Sequence, residues 1–355
     1  MQAVSPLLEV EDLTVTFKLE EGLLKAVDGV NLQVQRGQTL GLVGESGCGK
    51  SVAVQAIMRL TPHPGKIDGK ILLQTERAGA QDTVDLAKLH PAGQEIRKIR
   101  GKDIAMIFQE PMTSFSPLYT IGNQIMEAIL LHKTPDQREA REVAVAMLDK
   151  VGISNPSQRI DEYPHQLSGG MRQRAMIAMA LSCDPSLLIA DEPTTALDVT
   201  VQAQVMELMK SLQRQYGMAM LYITHDLGVI AEMADEMAVM YLGKIVEQAD
   251  VRSLYRDALH PYTAALLRSI PQVGRKARVR LDSITGTVPV PINLPAGCSF
   301  FSRCREAMPG VCDRDDPVLV EVKPSHRVSC FRYPEVVDAV RTRQAGEARK
   351  GTNGR

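Results

Sequence analysis

The chain has 355 residues, and its 41 lysines and arginines almost cancel its 42 aspartates and glutamates, for a net charge of −1. That balance argues against a general nucleic-acid binder, which carries a basic excess. With 44 % hydrophobic and 23 % charged residues, the composition is that of a soluble globular protein of roughly two domains. No apolar run reaches the ~18 residues needed to cross a bilayer. The N-terminus, Met-Gln-Ala-Val-Ser-Pro, has neither the basic nor the apolar region of a signal peptide. The chain is therefore expected in the cytosol, where disulfides rarely persist.

Taken in order, Leu8 to Phe17 alternates apolar and polar residues, as does Val27 to Val34. Both patterns predict half-buried antiparallel strands. Gln38 to Val43, bounded by Gly37 and Gly44, predicts a buried strand. A helix is expected from Lys50 to about Leu60, stopped by Pro62 and Pro64. Residues 64–103 are looser, with strand signal at Ile67 to Gln74, and Ile104 to Phe108 reads as a buried strand. Helical patterns follow over Asn123–His132, Pro135–Val151 and Gly170–Ser182. The apolar strands Ser186–Ala190 and Met218–Thr224 flank a helix at about Val199–Tyr216. Such strand–helix–strand alternation means a parallel core and an α/β fold. Ala238–Gln248 has an antiparallel pattern, and beyond about Leu254 the chain is loop-rich. The last 15 residues carry five basic residues and one acid, which predicts a disordered, solvated tail over about 336–355.

Gly44-Glu45-Ser46-Gly47-Cys48-Gly49-Lys50-Ser51 fits G-x-x-x-x-G-K-S/T after a strand and at the start of a helix. Glycines there let backbone N–H groups wrap a phosphate chain, and the helix N-terminus adds a positive dipole. Lys50 would reach the outer phosphates and the Ser51 hydroxyl would ligate Mg2+. Cys48 needs only to be small. Leu187-Leu-Ile-Ala-Asp191-Glu192 is an apolar strand ending in two acids. Beside a phosphate loop, Asp191 is placed to hold Mg2+ and Glu192 to accept a proton from a water attacking the γ-phosphate.

Between these motifs lies Leu167-Ser168-Gly169-Gly170. Alone it reads as a capped helix start. In this order the motifs resemble those of the ATPase subunit of an ABC transporter, over about residues 8 to 335. The resemblance implies a P-loop NTPase core with an antiparallel β subdomain, a helical subdomain at about 112–183, and a small loop-rich C-terminal extension. It divides the chain into an ATPase domain over 5–255 and an extension over 256–335. It also assigns Phe17 to adenine stacking, Gln109 to sensing Mg2+ and the membrane subunit, and Thr195 to Asp198 to the loop that crosses to a partner ATPase. His225 becomes the residue that contacts the γ-phosphate. Ser168, Gly169 and Gly170 would close over the ATP of a second subunit. The implied activity is hydrolysis of ATP to ADP and phosphate, driving import at the cytoplasmic face of a membrane. Two permeases, a second related ATPase (or, less favoured, a second copy of this chain) and an extracytoplasmic binding protein are the implied partners. ABC ATPases that act on DNA ends need a long coiled coil, and those that act on ribosomes carry two phosphate loops; the sequence has neither.

Four of the six cysteines, Cys298, Cys304, Cys312 and Cys330, cluster in the C-terminal region. Four thiolates can hold zinc or an iron–sulfur cluster, and the absence of close C-x2-4-C pairs leans away from zinc. Buried free thiols are the plain alternative. His260-Pro-Tyr-Thr and Leu294-Pro-Ala-Gly-Cys298 resemble the extension of the oligopeptide/dipeptide importer ATPases. That resemblance implies a 4Fe-4S cluster on the four cysteines. Cys183 is expected in a helical core.

Overall fold

A computed structural model describes residues 5–77, 79–109, 114–195, 197–270, 284 and 286–352. The start of the expected helical subdomain, residues 112 and 113, and Ala196 lie outside the described residues. The α/β expectation holds. The main sheet has eight strands, in the order Val320–Lys323 (β11), His326–Val328 (β12), Lys244–Asp250 (β10), Glu236–Tyr241 (β9), Thr39–Val43 (β3), Ala219–Thr224 (β8), Leu187–Asp191 (β7) and Ile104–Ile107 (β6). At its centre β3 (Thr39–Val43) runs parallel to β8 (Ala219–Thr224) and β9 (Glu236–Tyr241), and β7 (Leu187–Asp191) and β6 (Ile104–Ile107) continue the parallel set. These strands read as unbroken apolar runs because both of their faces are covered. Leu187 and Ile189 pack on one side with Leu40, Leu42, Leu221 and Ile223. Leu188 and Ala190 pack on the other with Val43, Met220 and Tyr222.

A second, antiparallel sheet of β1 (Leu8–Leu19), β2 (Gly22–Val34), β4 (Lys66–Arg77) and β5 (Ala80–Asp85) shares the first of these cores. The half-buried alternation of β1 and β2 follows from that one-sided packing. The strand β5, polar in sequence, pairs along β4 with no apolar pattern to announce it. Between β6 and β7 the chain forms helices over Ile121–His132, Gln137–Lys150 and Gly169–Leu181. Each starts where a side-chain oxygen of Thr120, Asp136 or Ser168 accepts an orphan backbone N–H. Cys183 is buried, as expected, but in the turn after the helix Gly169–Leu181 rather than within a helix, its thiol donating to Ala128 O.

The C-terminal region is more ordered than its composition suggests. Helices Val251–Arg256 and Pro261–Arg268 follow β10 (Lys244–Asp250). The hairpin of β11 (Val320–Lys323) and β12 (His326–Val328) then adds to the main sheet, with β12 antiparallel to β10. The segment expected as a disordered tail is largely a helix, Pro334–Thr352. Val336 and Val340 on it are buried in a small cluster with Leu259, Val328 and Phe331. These apolar residues at helical spacing dock it, and Arg343 and Gln344 further along add hydrogen bonds to Asp316 O and Asp315 Oδ1.

Burial makes one pH dependence expected here. His260 is 1 % exposed and caps the helix Pro261–Arg268, its Nδ1 accepting from Tyr262 N at 3.1 Å. Desolvation holds its pKa near 4, against an ordinary 6.5. Between these values the unfolded chain takes up a proton that the fold refuses, so stability falls as pH drops from 6.5 toward 4. Urea unfolding should show a loss on the order of 2 kcal/mol at pH 5 relative to neutrality from this group. His260→Asn keeps a capping oxygen and should remove that increment; an unchanged pH slope would refute the assignment.

Candidate functional site

The phosphate loop joins β3 to the helix Lys50–Ile57. Gly49 sits at φ +104°, and a Cβ there would meet Ala26 O at 2.2 Å, so only glycine fits. Lys50 is buried, and its Nζ donates to Gly44 O at 2.8 Å and Glu45 O at 3.1 Å. Its ammonium therefore lies under the loop whose amides would face a phosphate. Cys48 is buried beneath the loop, where it joins the apolar core.

Asp191 ends β7, where its Oδ1 accepts from Ser51 Oγ at 3.3 Å. Burial pushes its pKa up. The next residue, Glu192, adopts φ +46°, a left-handed conformation that costs a non-glycine residue roughly 1–2 kcal/mol. Its amide donates to Ile223 O at 2.9 Å. The turn places its carboxylate among three polar contacts. Oε2 accepts from Gln109 Nε2 at 3.0 Å and Thr195 Oγ1 at 2.9 Å, and Oε1 lies 3.0 Å from His225 Nδ1. Burial opposes its ionisation, but the hydrogen bonds from His225 and Thr195 and the nearby Lys50 charge prevail, so its pKa is lowered. Gly44, Glu45, Ser46, Gln109, Glu192, Thr195 and His225 line one open cleft of about 470 Å³.

Not every expected residue joins that cleft. Phe17 stands on β1 opposite Leu24 and packs toward Gly65, whose Cβ position lies 2.7 Å from its ring; it does not line the cleft. Ser168 caps its own helix, and Asp198 caps the helix Val199–Tyr216 by accepting from Val201 N at 3.0 Å. A Cβ on Gly170 would touch Val201 at 3.2 Å, whereas Gly169 faces open space. These signature residues do not line the cleft either. Fully buried Gln173 ties their helix to the site by donating to Pro193 O. Two residues of the C-terminal region to which the sequence assigned no role at the site reach the phosphate loop: Tyr262 and Arg303, both on Glu45.

The four-cysteine expectation is corrected. Cys298, Cys304, Cys312 and Cys330 line one small apolar cavity with Phe300, Phe301 and Phe331. Among the described residues no group of three or more His, Cys, Asp or Glu is arranged to hold a metal ion. Neither the 4Fe-4S cluster nor its zinc alternative is supported. Burial pushes the Cys298 thiol up to about 12 and the Cys330 thiol up to about 11, and raises Cys304 as well. The thiolate is the metal ligand, and this environment favours the protonated form. Cys312 belongs to the same apolar cluster as Phe331 and Val336. The thiols pack as small hydrophobes.

Residues 27–195 match the ABC transporter family, and residues 246–312 match the oligopeptide/dipeptide transporter C-terminal region. A putative peptide import ATP-binding protein of Brucella abortus is 48 % identical over 338 residues, covering 93 % of this chain and 98 % of that one. The oligopeptide transport ATP-binding protein AppD of Bacillus subtilis is 48 % identical, covering 94 % of this chain and 98 % of its own. The dimeric ABC transporter cassette MJ0796 superposes with a TM-score of 0.59 at 27 % identity, covering 69 % of this chain and 99 % of that one. Its post-hydrolysis form, bound to ADP and phosphate, gives the same TM-score at 26 % identity. No helix among the described residues is long and apolar enough to cross a membrane. The chain belongs to the ATP-binding subunits of ABC transporters, in the peptide-importer branch that carries this C-terminal region, and it is an ATPase.

Proposed function

We propose that this subunit powers peptide import as one of two ATPases joined head to tail beneath two permease subunits, at the cytoplasmic face of the membrane. The other ATPase is a related chain rather than a second copy, and an extracytoplasmic binding protein delivers the cargo. Residues 5–255 serve as the ATPase domain, with the helical subdomain at about 112–183 meeting the permeases, and residues 256–335 serve as the extension.

ATP would seat its phosphates on the loop amides, the helix N-terminus and Lys50. Ser51 and Asp191, with Gln109, would hold Mg2+; two hard oxygens 3.3 Å apart at the loop suit that ion. The ion would supply positive charge to the phosphates. Glu192 accepts a proton from water as the water oxygen bonds to the γ-phosphorus and the bond to the bridging oxygen breaks, leaving ADP and phosphate. Gln109, Thr195 and His225 hold that carboxylate in position, and His225 also reaches the γ-phosphate. Phe17 stacks on adenine. Ser168, Gly169, Gly170 and Asp198 act on the ATP of the partner, which suits their absence from this chain's own cleft.

The observation that carries the reading is the Glu192 carboxylate, held by Gln109, Thr195 and His225 at the edge of the phosphate-loop cleft. Co-expression with the permeases and the second ATPase, in vesicles with ATP inside, tests it. Adding peptide-loaded binding protein should raise ATP turnover and peptide uptake together. Turnover indifferent to peptide would reject the cargo class, and a full complex holding two copies of this chain would reject the heterodimer.

A further inference from the structure

The C-terminal region holds the phosphate loop at its second residue. Arg303 is 5 % exposed at its side chain, and it grips Glu45 with both arms of the guanidinium: Nη1 to Oε2 at 2.7 Å and Nη2 to Oε1 at 2.9 Å. The two residues are 258 positions apart in sequence. The backbone N–H of Glu45 donates to the Tyr262 hydroxyl at 2.9 Å, and its carbonyl accepts from Lys50. Glu45 is thus held at its side chain and its amide by the C-terminal region, and at its carbonyl by the lysine that would meet phosphate.

The supports are themselves fixed. Arg303 Nη2 also donates to Gly286 O at 3.2 Å, and the guanidinium lies over the Tyr241 ring, 5.7 Å from its centroid. Tyr241, Tyr262 and Phe300 pack ring to ring, with centroids 4.7 to 5.3 Å apart. Planar two-point pairing sets orientation as well as charge.

An acid at this place needs an explanation, because Glu45 lines the cleft that takes a polyanion. An unpaired carboxylate there would repel the triphosphate. We propose that Arg303 is a positioning residue for ATP: it neutralises Glu45 and fixes the open shape of the phosphate loop, so that nucleotide affinity depends on the docked C-terminal region. By linkage, ATP then tightens that region in return.

The inference rests on ATP occupying the phosphate-loop cleft. Arg303→Gln in the full chain should weaken ATP binding by about tenfold, or ~1.4 kcal/mol, and raise KM while kcat at saturating ATP is kept. Arg303→Lys should recover part of the loss. The neutral pair Glu45→Gln with Arg303→Gln should bind ATP more tightly than Arg303→Gln alone, which a role in packing alone would not produce. Unchanged affinity in folded Arg303→Gln, or no recovery in the neutral pair, would overturn the proposal. A second measurement needs no substitution. In the unaltered chain a non-hydrolysable ATP analogue should slow hydrogen exchange of the amides of Arg303 and Cys304; exchange there indifferent to a bound analogue would overturn it. An unaltered chain that binds no ATP would instead overturn the reading of the cleft.

Discussion

Replacing Glu192 by glutamine is expected to slow ATP hydrolysis by about 10²–10⁴-fold, the range for losing a positioned general base, while ATP still binds. The geometry explains why the two effects separate. Glutamine has the shape of glutamate, so its amide oxygen can still accept from Gln109 and Thr195, and its NH2 can donate to an unprotonated Nδ1 of His225. The backbone turn at φ +46° is kept as well. What is lost is the ability to take a proton. The Lys50 ammonium makes its hydrogen bonds to the loop carbonyls of Gly44 and Glu45, not to Glu192. Single-turnover hydrolysis and equilibrium nucleotide binding on the same preparation check both halves. Fast turnover by the variant would remove Glu192 from the base role. Because the contacts of Glu192 lower its pKa, the unaltered enzyme should lose activity through this group only in acid, as pH falls through that lowered value.

Lys50→Ala is expected to act on binding instead. In the free loop the ammonium donates to the carbonyls of Gly44 and Glu45. With nucleotide it would exchange these for phosphate oxygens. A hydrogen bond to a charged partner contributes about 1.5–3 kcal/mol, so ATP affinity should fall by roughly 10- to 100-fold. The fold is expected to survive the loss of these two hydrogen bonds, and a melting curve alongside the titration verifies this. Undiminished affinity in the folded variant would show that the phosphates are held elsewhere.

Much of the site was legible in the sequence because its chemistry is local. A phosphate loop is a run of consecutive backbone amides, and the signature is a capped helix start. Both therefore appear as short strings, Gly44 to Ser51 and Leu167 to Gly170. Asp191 and Glu192 were legible for the same reason, as polar residues ending an apolar strand. That consecutive strand residues point to different sides was legible too, but the left-handed turn at Glu192 was not. The metal expectation failed where local reading had least to work with. Cysteines 6 to 18 positions apart do not reveal whether their thiols are arranged as ligands or pack around an apolar cavity among phenylalanines, and the second is what the fold provides. The tail failed for a related reason. Its composition is basic, but Val336 and Val340 find a cluster built from residues far along the chain.

The sequence alone determined the nucleotide chemistry, the parallel α/β core and the family, because each is written in contiguous residues and in periodicities of two and 3.6. Tertiary structure alone decided how the C-terminal region is used. Pairing of β12 with β10 extends the main sheet, and the contacts of Arg303 and Tyr262 with Glu45 join residues more than 200 positions apart. Such contacts arise when buried charges and strand edges must find partners, and the partner can come from any part of the chain that the fold brings near.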